Sequence, residues 1–243
     1  MFSLYKKELH SFFFTPFAYV ISALYMFLFT IFIGNHIADV SGSTLTFSFP
    51  DIFYNNIFYF VLLMPLLTMR AFADERKFGT EVLLHTSPLN VFHIVTAKFL
   101  AIVTVFVFML ACSAVYPIVT NMHGKIVISS LISVYIGFFL WGIMCITIGM
   151  LLSSFAENSI TAALLGEAVM LALMGLEAFA QSGFMSRFPK AQAFMTMFAA
   201  QPKFVFFARG LIRLSDIVFF ISVSIVFLGW TMISLEKRRW NRG

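Results

Sequence analysis

The sequence predicts an all-α integral membrane protein with six transmembrane helices, an N-terminal interfacial helix and short outer helices between the fifth and sixth spans. Three observations predict it. Of 243 residues, 60% are hydrophobic and only 11% charged, with a mean hydropathy of +0.94. A soluble domain carries about a quarter charged residues. Six apolar stretches are each long enough to cross ~30 Å of hydrocarbon as a helix. The Lys and Arg residues gather between those stretches, with a bias toward one side.

Taken in order, residues 2–14 read as an amphipathic helix. At 100° per residue, Phe2, Tyr5, Leu9, Phe12 and Phe13 share one face; Ser3, Lys7, His10 and Ser11 lie opposite, with Lys6 at the border. A basic, aromatic amphipathic helix ahead of a span lies flat in the interface. A signal peptide is disfavoured, because the apolar region from Phe12 to Ile33 is too long and lacks a small-residue cleavage site. The spans fall at about 15–37, 52–69, 89–118, 127–152, 159–180 and 215–235. The second opens with Tyr54, Asn55, Asn56 and Tyr59, an interfacial aromatic and amide group. The third is overlong, so it projects or tilts, and Lys98 in its first turns is placed to snorkel. Ser215 or Asp216 caps the sixth.

Lys and Arg counts orient the chain. With the N-terminus inside, ten lie inside: Lys6, Lys7, Arg70, Arg76, Lys77, Lys98 and the tail Lys237, Arg238, Arg239 and Arg242. Six lie outside, five of them in 181–214. A seventh span across 191–208 is rejected, since Pro202-Lys203 cuts it into pieces of about ten residues. The segment 181–214 therefore reads as two short helices at the outer surface, re-entrant in one version. The expected location is the cell's inner (plasma) membrane, multi-pass, with both termini cytoplasmic.

One polar loop, 70–88, interrupts the apolar sequence. It carries Arg70, Asp74, Glu75, Arg76, Lys77, Glu81 and His85. Between two spans it must meet water or another protein. Gly79 breaks a first short helix; Thr80 caps the next turn and Glu81 favours the positive end of its dipole. Ser87 then caps the third span, with Pro88 at its first helical position. Two readings stand: a solvated connector folded back on lipid, or a docking helix for a soluble partner.

The run Pro65…Thr68-Met69-Arg70…Asp74-Glu75-Arg76…Gly79-Thr80-Glu81…Leu84…Ser87-Pro88…Lys98-Phe99 resembles the cytoplasmic loop between the second and third spans of ABC-2 type transporter permeases, closest to the short gliding-motility and nitrous-oxide-maturation kind. Weaker echoes are Gly149…Ser153-Ser154…Glu157-Asn158 with Ala162-Ala163, and Phe207-Ala-Arg209-Gly210…Asp216…Phe219-Phe220. The resemblance implies that residues 2–14 are the elbow helix and that a coupling helix near 79–87 seats in an ATPase subunit. It implies ATPase-coupling roles for Glu75, Arg76, Gly79, Thr80, Glu81 and Leu83. It further implies dimerisation with a second permease copy or paralogue around spans 2 and 5, which makes Asn55, Asn56, Tyr59 and Glu167 candidates for the substrate pathway.

Other constellations are weighed on their own residues. The only Gly-Lys pair, Gly124-Lys125, lacks the flanking residues of a phosphate loop, so this chain binds no ATP in that way. ATP and magnesium belong to the partner subunit, no cofactor is expected here, and the chain is no enzyme by itself. His10, His36, His85, His93 and His123 stand singly, without metal-ligand spacing. A bis-His haem anchor is disfavoured because His36 and His93 fall on opposite sides of the membrane. Cys112 and Cys145 sit in apolar runs and imply no disulfide framework. Glu167 lies about 12 Å into span 5 at 1.5 Å per residue, where a carboxylate faces an interior or a cavity. Glu177 falls at the outer interface, roughly 80° around the helix, and the two form no tight dyad. The spacing Ala162-xxx-Gly166 permits close helix approach. The 33 Phe and 14 Met read as lipid-facing and core packing.

The function expected is that of the permease subunit of an ABC-2 type transporter, with an ABC ATPase subunit, a second permease and membrane lipid as partners, and no nucleic acid. The rival is a non-transporting membrane anchor or assembly scaffold that recruits a soluble partner through the same 70–88 loop. A membrane enzyme or electron carrier is a further rival and requires a cofactor.

Overall fold

The computed structural model describes residues 1–41, 49–80, 90–123, 127–182 and 184–241. Helix α1 is Phe2–Phe14, α2 Pro16–Ser41, α3 Phe49–Thr68 and α4 Ala73–Lys77. They are followed by α5 Val91–Ser113, α6 Val115–His123, α7 Ile128–Phe155 and α8 Ser159–Ala180. A 3₁₀ turn, Met185–Arg187, leads to α9 Pro189–Phe198, α10 Gln201–Ala208 and α11 Leu214–Asn241. Among the described residues no strand occurs. Six helices are long and apolar enough to cross a membrane: α2, α3, the α5–α6 unit, α7, α8 and α11. The protein is a multi-pass membrane protein.

The overlong third span is a kinked pair. Pro117 has no N–H to offer the Ser113 carbonyl, so the helix breaks at Ala114. The Tyr116 hydroxyl then bonds to Thr30 Oγ1 at 2.5 Å and donates to Met26 O at 3.2 Å, fixing α6 against α2.

Helices α3 and α7 form the centre and bury most of their hydrophobic stretches, while α8 and α11 bury only 17% of theirs and form the periphery. Inside lipid, tight packing rather than water exclusion must hold helices together. Aromatic rings supply it: Phe138 meets Phe60 at 4.3 Å and Phe53 at 5.1 Å, and Phe29 meets Phe53 at 5.0 Å. Glycines let α7 close in. A Cβ on Gly149 would collide with the Thr68 hydroxyl of α3, and one on Gly137 would lie 2.5 Å from Phe207 Cβ.

That second contact positions α10, which enters the bundle instead of lying on it. Phe204 and Phe207 are fully buried, and Phe204 packs on Trp141 at 5.9 Å and on Phe138 at 6.3 Å. Phe138 is about 15 Å along α7 from its first residue at 1.5 Å per residue. The Ser133 hydroxyl of α7 donates to Phe207 O at 3.0 Å. Helix α9 remains mostly exposed. Contacts of α10 with the second turns of α3 and α7 place this cap at one end of the bundle. Helix α1, the ends of α3 and α7, and the Ser234 region of α11 lie at the other, called here the terminal end.

Candidate functional site

The polar loop begins where α3 runs out of apolar residues. Its first turn has backbone donors that need partners. One hydroxyl serves two of them: Ser153 Oγ, at the end of α7, accepts from Phe72 N at 3.1 Å and Ala73 N at 3.2 Å, and donates to Met69 O at 3.0 Å. Helix α4 then carries Asp74 and Glu75 in its first turn and Arg76 and Lys77 in its last, the polarity its dipole favours.

Each of the first three charges reaches a different neighbour. Glu75 Oε1 accepts from Lys98 Nζ at 2.7 Å, and the same ammonium donates to Glu8 Oε1 of α1 at 3.1 Å. The Lys98 side chain is 3% exposed and each carboxylate 16%. The ammonium also lies 5.4 Å from the centre of the Phe72 ring. Lys98 therefore does not snorkel. It is paired because a buried ammonium without a counter-charge is too costly, and two carboxylates reach it from α1 and α4.

Arg76 points to the end of α7. Its Nη1 donates to Phe155 O at 3.1 Å and Ala156 O at 2.5 Å, and Nη2 to Ser154 O at 2.7 Å. Those carbonyls are the unsatisfied acceptors at a helix C-terminus, where a cation is also favoured by the dipole. Asp74 accepts from the Ser159 hydroxyl at the start of α8 and pairs with Arg70 at 3.3 Å. Arg70 stacks on Phe17 of α2, 4.2 Å from the ring centre. Asn158 Oδ1 receives Thr161 N at 2.9 Å, opening α8. The loop is thus fastened to α1, α2, α5, α7 and α8.

Beyond α4 the chain turns outward. Gly79 N donates to Arg76 O at 3.1 Å, and Gly79 adopts φ +70°, a left-handed conformation suited to glycine. Thr80 Oγ1 donates to Glu75 O at 3.4 Å. Lys77, Phe78, Gly79 and Thr80 are exposed, and Phe78 is 70% exposed with Lys77 Nζ 5.6 Å from its ring centre. Glu81 and Leu83, with the Ser87 cap and Pro88, lie outside the described residues. Of the six coupling candidates, Glu75 and Arg76 face into the bundle as fasteners, whereas Gly79 and Thr80 lie at its exposed tip.

The four pathway candidates do not converge within one chain. Asn56 is 2% exposed and donates to Ile52 O of its own helix at 3.2 Å. Asn55 and Tyr59 are exposed on α3, with Tyr59 against Phe32 at 4.9 Å. On α8, a Cβ added to Gly166 would lie 2.7 Å from Pro65 Cβ, which sets the neighbouring Glu167 level with Pro65. Nine residues separate Pro65 from Asn56, about 13 Å along α3. Glu167 Oε2 is buried and has no hydrogen-bond partner among the described residues. Also among the described residues, no group of three or more His, Cys, Asp or Glu side chains is placed to hold a metal ion.

Sequence reasoning missed Glu8, Ser159 and Phe78, and named Ser153 without a role for its hydroxyl. Two signals pointed to them. A lysine inside an apolar run needs a counter-charge, and Glu8 is the single acid in the preceding amphipathic helix. The Ser153-Ser154…Asn158-Ser159 run is a cluster of small polar residues at the join of two spans, where orphan backbone groups need partners. No family model matches the chain, and no curated protein matches it either.

Proposed function

We propose that the chain is the permease subunit of an ABC-2 type transporter, coupling ATP hydrolysis on a separate ATPase subunit to movement of a substrate across the membrane. One observation carries the reading: the loop between the second and third spanning helices is fastened into the bundle at its base, yet presents an exposed tip, Phe78–Thr80. A mere connector has no need of such fastening. A handle does, because a push on its tip must move α3, α5 and α7 together rather than bend the loop. Glu75 and Arg76 act as fasteners, and Phe78, Gly79, Thr80, Glu81 and Leu83 form the contact with the ATPase. In this reading the terminal end of the bundle is cytoplasmic, in keeping with the Lys and Arg count, and α1 is the elbow helix. Two copies, or one copy and a paralogue, open a path between them as the loops are driven together. An exposed aromatic flanked by a cation fits the anchor of a protein interface.

The experiment is co-purification and ATPase stimulation with the partner ATPase. Phe78→Asp and Glu81→Lys should each abolish association while thermal unfolding of the membrane domain stays unchanged. Retained association and stimulation in both variants refutes docking through this loop. Association without any change in ATP turnover favours the anchor or scaffold reading instead.

A further inference from the structure

The cap at the end of the bundle opposite the termini has an unusual charge. From Gln181 to Arg213 it holds Arg187, Lys190, Lys203, Arg209 and Arg213, and no Asp or Glu. Among the described residues no carboxylate lies within ion-pair distance of any of the five. Two are held over rings instead: Lys203 Nζ is 4.4 Å from the Phe219 centroid and Arg213 Cζ 3.4 Å from that of Phe206. The other three are exposed.

The same segment exposes large apolar groups, with Phe184 at 61%, Phe188 at 54%, Met197 at 68% and Leu211 at 52%. Helix α9 has ten residues and rests mainly on α8. Helices that short are marginal in water without a surface to cover them. Exposed apolar groups alternating with unneutralised cations, beside spanning helices, describe a layer at the boundary between acyl chains and headgroups. Zwitterionic headgroups carry no net charge to offset five cations. Anionic headgroups neutralise them, and each basic residue near an anionic surface contributes about fivefold in affinity.

We infer that the 181–213 cap is a binding surface for anionic phospholipid, seating phosphate headgroups on Arg187, Lys190, Arg209 and Arg213 in the leaflet opposite the termini. The inference is independent of transport. It also accounts for the basic residues that weaken the charge bias of the chain: they are the lipid site itself.

The test uses the full chain in phosphatidylcholine nanodiscs, with Cys112→Ser and a fluorophore on Met197→Cys. An equal fraction of phosphatidylglycerol or phosphatidylcholine, brominated near the headgroup, is added. Brominated phosphatidylglycerol should quench at least about twofold more than brominated phosphatidylcholine. The excess should vanish in high salt and fall by at least about half in the variant Arg187→Gln/Lys190→Gln, which removes two exposed cations of the four. Equal quenching by the two lipids overturns the proposal, as does an excess that stays undiminished in that variant. Quenching by neither, with a rise in anisotropy on adding soluble polyphosphate, overturns it in favour of an anionic partner in water.

Discussion

The sharpest consequence of the structure concerns Lys98. Its ammonium lies 2.7 Å from Glu75 and 3.1 Å from Glu8. At an effective dielectric near 20 these attractions are about 6 and about 5 kcal/mol, and repulsion between the two carboxylates cancels part of that. Desolvation of three ions costs several kcal/mol each, so the intact triad is close to neutral for stability. Removing the cation alone is different. Lys98→Met leaves two carboxylates side by side with no counter-ion, and should destabilise the protein by about 3–5 kcal/mol. Denaturant unfolding in detergent micelles, followed by tryptophan fluorescence, measures this. The triple variant Glu8→Gln/Glu75→Gln/Lys98→Met removes all three charges and should regain most of the loss. A Lys98→Met protein within about 1 kcal/mol of the parent refutes the argument. So does a triple variant no more stable than the single one.

Three further outcomes follow from the loop and its packing. Arg76→Ala strips three carbonyls at the end of α7 of a charged donor and should cost about 1–3 kcal/mol; on the proposed transporter reading it should also lower ATPase stimulation more than ATPase association, which parallel binding and turnover assays separate. Gly149→Ala drives a methyl into Thr68 and should cost about 1–3 kcal/mol by the same unfolding assay, with partial recovery in Gly149→Ala/Thr68→Ala. Phe78→Asp should leave the unfolding midpoint unchanged, because its ring is exposed, while removing the ATPase docking proposed above.

Sequence alone determined that this chain has six helices long and apolar enough to cross a membrane, and roughly where. A span needs only length and apolarity, and both are local properties that a window of residues displays. The residues 159–180 were assigned as a span from that pattern, and α8 has those bounds. Tertiary structure alone decided which polar residues meet. Lys98 read as a snorkelling side chain because its neighbours in sequence are apolar; its partners, Glu8 and Glu75, are 90 and 23 residues away. Which acids reach it depends on how α1 crosses α5 and how far α4 is drawn toward α7 by Ser153 and Arg76. Likewise Pro202-Lys203 marked a break, but the entry of α10 into the bundle required the space that Gly137 leaves opposite Phe207. Helix length is written into consecutive residues. The depth at which separate helices align is set by packing across the whole bundle, and the site depends on that alignment.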